Sequence, residues 1–336
     1  MSQNIKAPEA VEMQVPSRGM TQKDMQQVNT KDKAIKIVVQ VLLYLFLCTM
    51  ALIVLFPFYY MLITSVKDYF LFNREAVPSL IPSEKWAELT DPMWHETEHK
   101  TFEWMQHIDF KNYADVFAIE DLALARLFLN TVYVGLVSTL LSLIVTVLSA
   151  FAFARLEFRG KNALFGAMLA TMMIPGELFT ITNYITVYSL KWNNTFTALI
   201  IPFLVSVFYI YLLRQNFMQI PNELYLAAKV DGTTDIKYLW KVMIPLALPS
   251  LISITILKMM GAWNSYMWPN LVANDAAHKL ITNGLRGATF SSTEGTLPDT
   301  PLQMAAVTLV SIPLFLVFIF LRKYIMKGVS RSGIKG

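Results

Sequence analysis

Pro221-Asn222-Glu223-Leu224-Tyr225-Leu226-Ala227-Ala228-Lys229-Val230-Asp231-Gly232 is a short polar interruption between two long apolar blocks. Asn222 after Pro221 suits a helix N-cap, and Glu223 sits well at a positive helix end. Leu224, Ala227 and Ala228 give one small apolar face. Gly232 fits the left-handed position that ends a helix. Thr234 or Asp235 can cap a second helix, in which Ile236, Leu239, Trp240 and Met243 recur at helical spacing. Pro245 closes the unit. The stretch therefore reads as helix, glycine bend, helix, fixed at both ends to apolar segments.

Outward from this unit the chain is dominated by long apolar blocks. It has 336 residues, 55% hydrophobic and 15% charged, too little charge for a soluble domain of this length. Six segments are long enough to cross about 30 Å of hydrocarbon: residues 37–63, 127–154, 163–188, 195–213, 245–268 and 302–321. Backbone groups in lipid must be satisfied within the segment, and the short alternating blocks of a barrel are absent. The expected fold is all-α, a polytopic membrane helix bundle with six transmembrane helices. Its divisions are a tail at 1–36, a membrane domain at 37–321 with an outer segment at 67–126 and an inner loop at 214–244, and a tail at 322–336.

Charge gives the direction. The two tails and the inner loops hold 18 Lys and Arg, the outer loops 9 over many more residues. Twelve of the 24 acidic residues lie between Asp68 and Asp121. Basic clusters favour the cytoplasm, so both termini are expected inside. The first 36 residues lack the apolar core of a secretory signal, and the single Cys48 allows no intrachain disulfide.

Two spans carry features that lipid tolerates poorly. The third is interrupted at Ile174-Pro175-Gly176-Glu177, where proline removes a backbone hydrogen bond. The fifth holds Lys258 and Asn264 with Pro245 and Pro249; a charge at that depth costs a few kcal/mol unless it faces protein or a cavity. Glu177, Asn183, Lys258, Trp263 and Asn264 are thus candidates for the lining of a translocation pathway. The alternative is that they form structural pairs or interhelical hydrogen bonds. For the 221–240 unit the alternative is a loop lying on lipid headgroups, anchored by Trp240.

At these residues the chain resembles binding-protein-dependent ABC importer permeases. Their EAA loop is similar to Leu226-Ala227-Ala228-Lys229-Val230-Asp231-Gly232, closing at Ile244-Pro245. Phe56-Pro57, Ser65-Val66-Lys67, Asn112-Tyr113, Asn130, Ile174-Pro175-Gly176, Trp263-Asn264 and Trp268-Pro269 are similar to the carbohydrate-uptake branch. The ending Gly333-Ile334-Lys335-Gly336 resembles that of the maltose-type second permease. Leu226 stands where the family has its first Glu, so an acidic contact is missing there.

The resemblance implies that the inner loop is a cytoplasmic coupling helix seated in a cleft of an ATPase, with Glu223, Ala227, Ala228, Asp231 and Gly232 as contact and shape positions. It further implies a carbohydrate cargo, with an oligosaccharide favoured. The partners would be a second homologous permease subunit, two ATPase subunits and an extracytoplasmic substrate-binding protein, all at a bacterial inner membrane. In that scheme ATP binding closes the ATPase dimer, the lever moves inward and the cavity opens outward.

No Gly-x-x-x-x-Gly-Lys-Ser/Thr is present; Gly160-Lys161 is followed by Asn162. Hydrolysis therefore belongs to another chain, and no catalytic residue or cofactor is expected here. Nothing points to nucleic acid. His95 and His99 share a face if helical, yet lack a third ligand, so no metal is expected. The rival is an ion-coupled secondary carrier, which would need inverted repeats and buried acids, and only Glu177 qualifies. A signalling or structural membrane component would not need the helix–bend–helix.

Overall fold

A computed structural model describes residues 22–74, 110–119, 122–288, 290 and 298–330. The expectations for His95, His99 and most of the outer segment fall outside the described residues. The chain divides into two compact units, Met1–Tyr59 and Tyr60–Gly336. The described part of the first is the bulk of helix α1 (Gln22–Ser65), apolar and exposed over residues 37–47, with Pro57 inside it.

The second unit is all-α, with no strand among the described residues. Its helices are α2 (Tyr69–Arg74), α3 (Lys111–Ala118), α4 (Leu124–Arg155), α5 (Lys161–Thr171), α6 (Thr180–Ser189), α7 (Phe196–Ile200), α8 (Val207–Met218), α9 (Asn222–Val230), α10 (Asp235–Tyr238), α11 (Ile244–Leu246), α12 (Leu248–Trp263), α13 (Met267–Val272), α14 (Ile281–Gly287) and α15 (Thr300–Ser330). Three stretches pass as single membrane-length helices: Lys36–Ser65, Leu124–Arg155 and Thr300–Arg322.

The other three expected spans are bent pairs. The third breaks by 86° between Thr171 and Gly176, at the proline–glycine interruption. The fourth breaks by 48° and the fifth by 80°. The fourth is continuous and apolar in sequence, but Pro202 and the extended Ser206 divide it. The fifth is expected from sequence as one segment through Trp268. It ends at Trp263, and Trp268 belongs to α13. Pro249 opens α12 near its first position, where a missing N–H costs nothing.

Helix α4 is the spine. Thr131, Gly135, Ser138, Thr139, Ser142, Thr146 and Ala150 form a buried stripe of small residues along it. In lipid no hydrophobic gain drives helix association, so close approach of small residues has to supply the contact. A Cβ on Gly135 would sit 4.0 Å from Ala262 of α12, which shows how near the two helices come. Four apolar clusters are strung along α4: Leu124 and Leu127 join α3, α14 and α15; Val134 joins α7 and α13; Ala150 and Phe151 join α8 and the segment after α10; Phe153 joins Phe165 of α5 and Ile210 of α8.

Polar side chains close the loose helix ends. Asn112 donates to the carbonyls of Ser65 (3.0 Å) and Lys67 (2.8 Å), and Tyr113 shares a 2.7 Å hydrogen bond with Ser65. Asn130 donates to Ala277 (2.8 Å) and Lys279 (3.0 Å). Buried Thr131 accepts from the Ile281 amide at 2.8 Å, where α14 begins. Replacing Thr131 by Val leaves that amide buried and unpaired. It should cost about 1–3 kcal/mol, whereas Thr131→Ser should be close to neutral. Thermal unfolding of the detergent-solubilised protein measures both, and equal melting of Val and Ser variants would contradict the assignment.

Candidate functional site

Helix α9 follows α8 across the Gln219–Pro221 turn. Pro221 takes the N-cap position and Asn222 is the first helical residue, so Asn222 is not the cap the sequence suggested. Its side chain instead accepts from Arg155 at 3.1 Å. The C-terminus is a complete Schellman motif. The Gly232 amide bonds to Lys229 (3.1 Å), the Thr233 amide to Ala228 (2.8 Å), and Gly232 has φ +69°. Thr234 caps α10, its hydroxyl accepting from the Lys237 amide.

The bend is locked from one side. Lys229 Nζ lies 2.7 Å from Asp235 Oδ1, and the Tyr225 hydroxyl donates to the same oxygen at 2.8 Å. Tyr225 also packs on Tyr238, ring centroids 5.1 Å apart. Hydrogen bonds from Lys229 and then Tyr225 hold the Asp235 carboxyl below its ordinary value. The bond to Asp235 raises Lys229. Asp235, a cap candidate beside Thr234 in the sequence, instead fixes the bend through Lys229 and Tyr225. Only the i, i+6 spacing to Lys229 across a glycine could have signalled it.

The two faces of α9 differ. Tyr225 and Ala228 turn inward onto the cluster of Phe217, Tyr238 and Leu239. Glu223, Leu226, Ala227 and Val230 turn outward, with Val230 89% exposed. Ala227 and Ala228 therefore do not share a face toward a partner. Beyond the bend, the expected stripe of Ile236, Leu239, Trp240 and Met243 splits. Leu239 and Met243 are buried, while Ile236 and Trp240 are exposed. A π-helical turn over Leu239–Met243 widens the helix and shifts its register. Val230, Leu226, Ile236 and Trp240 thus leave apolar surface exposed on the helix–bend–helix unit. Asp231 and Gly232 lie exposed at the bend.

The pathway candidates do not assemble into one group. Lys258 lines a cavity of about 340 Å³ with Ser138, Phe203, Ser206, Ser265 and Trp268. Its amine donates to the Phe203 carbonyl at 2.7 Å, where the fourth span breaks. A cation there completes a helix C-terminus. Trp263 is 7% exposed and points into the core, edge-on to Phe128 at 5.5 Å. Asn264 is exposed and bonds back to Met260 of its own helix at 3.0 Å. Glu177 is exposed at the 86° bend, and Asn183 is half-buried on α6. Among the described residues Glu177 and Lys258 form no ion pair. Trp268, outside the expected pathway set, anchors the cavity wall by donating to the Ala198 carbonyl at 2.9 Å.

A family model described as "binding-protein-dependent transport system inner membrane component" matches residues 142–331. The chain is 32% identical over 207 residues to the arabinooligosaccharides transport system permease protein AraQ of Halalkalibacterium halodurans, covering 62% of this chain and 73% of that protein. It is 27% identical over 282 residues to the sn-glycerol-3-phosphate transport system permease protein UgpE of Yersinia pestis, covering 84% and 92%. A solved bacterial ABC transporter involved in import of the acidic polysaccharide alginate has a chain of the same fold, with TM-score 0.69 and 23% identity over 88% of this chain and 97% of that one.

The Asp235 lock has a defined pH response. Because its carboxyl is held below the ordinary 3.8, the lock is fully present above that value and is lost only as pH falls below it. Protection of the amides across residues 225–235, measured relative to their intrinsic exchange rate at each pH, should stay high at neutral pH and fall only in that acid range. Asp235→Asn should lower that protection already at neutral pH; identical protection in the two proteins would contradict the lock.

Proposed function

The chain belongs to the binding-protein-dependent transport system inner membrane components, and from that premise we propose that it imports a carbohydrate, an oligosaccharide in the first instance. As a member of the family it is a multi-pass inner-membrane permease subunit of an ATP-driven importer, served by an ATPase and a substrate-binding protein. It performs no bond chemistry itself. The proposed assembly adds a second homologous permease and two ATPase subunits, with both termini of this chain cytoplasmic and 214–244 forming the inner loop.

The observation that carries the reading is the outward face of α9. Val230 and Leu226 are apolar and exposed on a short helix outside the spans, held at a fixed angle by the Schellman motif and the Asp235 lock. Apolar surface so displayed marks a docking site. Glu223, Ala227 and the exposed Asp231 would meet the ATPase, Gly232 would set the bend, and Ala228 would fix the helix to the bundle from behind. Leu226, at the family's Glu position, makes this contact apolar rather than acidic. Lys258 and its cavity are the part of the pathway this chain would contribute. Glu177, Asn183 and Asn264 fit contacts outside that cavity, and Trp263 fits a structural role.

The cargo reading rests on the arabinooligosaccharide permease and on the family-wide likeness. Proteoliposomes holding the whole importer should take up labelled arabino-oligosaccharide with ATP and should continue after ion gradients are collapsed. Uptake that stops with the gradient would favour an ion-coupled carrier. Gly232→Pro tests the lever. Proline cannot adopt φ +69° and removes the amide bonded to Lys229. Uptake should be lost while the spans remain folded. Normal substrate-stimulated hydrolysis in that variant would refute the coupling role.

A further inference from the structure

Helices α4 and α8 end side by side, and each supplies an arginine to the other's last turn. Arg214 of α8 donates its Nε to the Phe153 carbonyl of α4 at 3.0 Å, with its guanidinium 4.1 Å from the Phe165 ring. Arg155, the last residue of α4, is 9% exposed. It donates to the Phe217 carbonyl at 3.0 Å and to the Ile220 carbonyl, both in the exit from α8. Its other terminal nitrogen reaches Asn222 Oδ1 at 3.1 Å.

The chemistry suits the place. The last carbonyls of a helix have no partner within it and carry the negative end of the dipole. A guanidinium offers several donors in one rigid plane, so one Arg can hold α8's exit and α9's first residue at once, as a flexible ammonium cannot. The burial of Arg155 keeps water from competing for these bonds. Asn222 is thus a bridge from the spine helix to the base of α9 that does not run through the chain itself. The same α4 supplies Val134 and Ser138 to the cavity wall that holds Lys258.

We propose that Arg155, through Asn222, is the positioning residue that passes movement of α9 to α4 and so to the cavity. This rests on the reading of α9 as the ATPase-docking helix. The sequence treated Arg155 only as one of the charges that orient the chain. A purely topological charge would snorkel to water, whereas this one is buried and points back into the protein.

The test uses the whole importer in proteoliposomes, in a Cys48→Ser background, with uptake and ATP hydrolysis measured together. A Val230→Cys substitution reports docking by cross-linking to the ATPase. Asn222→Ala removes only the arm to α9 and leaves the carbonyl bonds of Arg155 intact. Its uptake per ATP should fall about tenfold, the loss of one hydrogen bond to a charged group, with basal hydrolysis and the cross-link retained. Arg155→Gln should do the same, and Arg155→Lys should restore part of the ratio. If the cross-link forms but Asn222→Ala couples normally, or uptake and hydrolysis fall in proportion, the clasp is structural and the proposal fails while docking stands. If no cross-link forms with Arg155 and Asn222 intact, the docking reading fails and the proposal with it.

Discussion

A broken helix at membrane depth exposes carbonyls and amides that hydrocarbon cannot satisfy, and this fold depends on meeting that demand with side chains from other helices. Lys258 meets the Phe203 carbonyl at the break in the fourth span. Trp268 meets Ala198, Asn130 meets Ala277 and Lys279, and Thr131 meets the amide of Ile281. Arg155 and Arg214 do the same at the ends of α8 and α4. Each bond joins two segments far apart in sequence; most close a helix end, and the Asn130 pair holds the turn between α13 and α14. Without them the kinked spans would be costly, because each unmet group buried in lipid costs several kcal/mol.

Such a construction is stiff within segments and jointed between them. The small residues of α4 bring its neighbours close enough to pack without a hydrophobic drive. The breaks at 86°, 48° and 80° supply the joints. An importer that alternates its access needs both properties: rods that carry displacement and bends that absorb it. On the function proposed above, the exposed apolar stripe of α9 is where displacement would enter, and the cavity beside Lys258 is one place it would arrive.

The six apolar blocks, the interruption at Pro175 and the bend at Gly232 were legible in the sequence because each rests on a local rule: length, a missing amide, a left-handed residue. The α-helical fold followed from them. Other features were illegible because they depend on partners remote in the chain. Trp263 sits in a span with polar neighbours, yet helix rotation turns it onto Phe128. The π turn at Leu239–Met243 divides a stripe that an ideal helix would keep whole. Asn222 reads as a cap until Arg155 claims its oxygen, and Asp235 reads as a cap until Lys229 and Tyr225 do. The fourth span's division is masked because Pro202 lies in an otherwise continuous apolar run.

The proposed coupling comes down to one physical claim: the bundle would receive motion at α9 and spread it through side-chain bonds between helix ends, such as Arg155 to Asn222. The structure of the assembled importer measures this directly. The account predicts heavy atoms of Leu226 and Val230 within about 4 Å of the nucleotide-hydrolysing subunit, with Arg155 still joined to Asn222 behind them. A complex in which both residues face only lipid or solvent would contradict it.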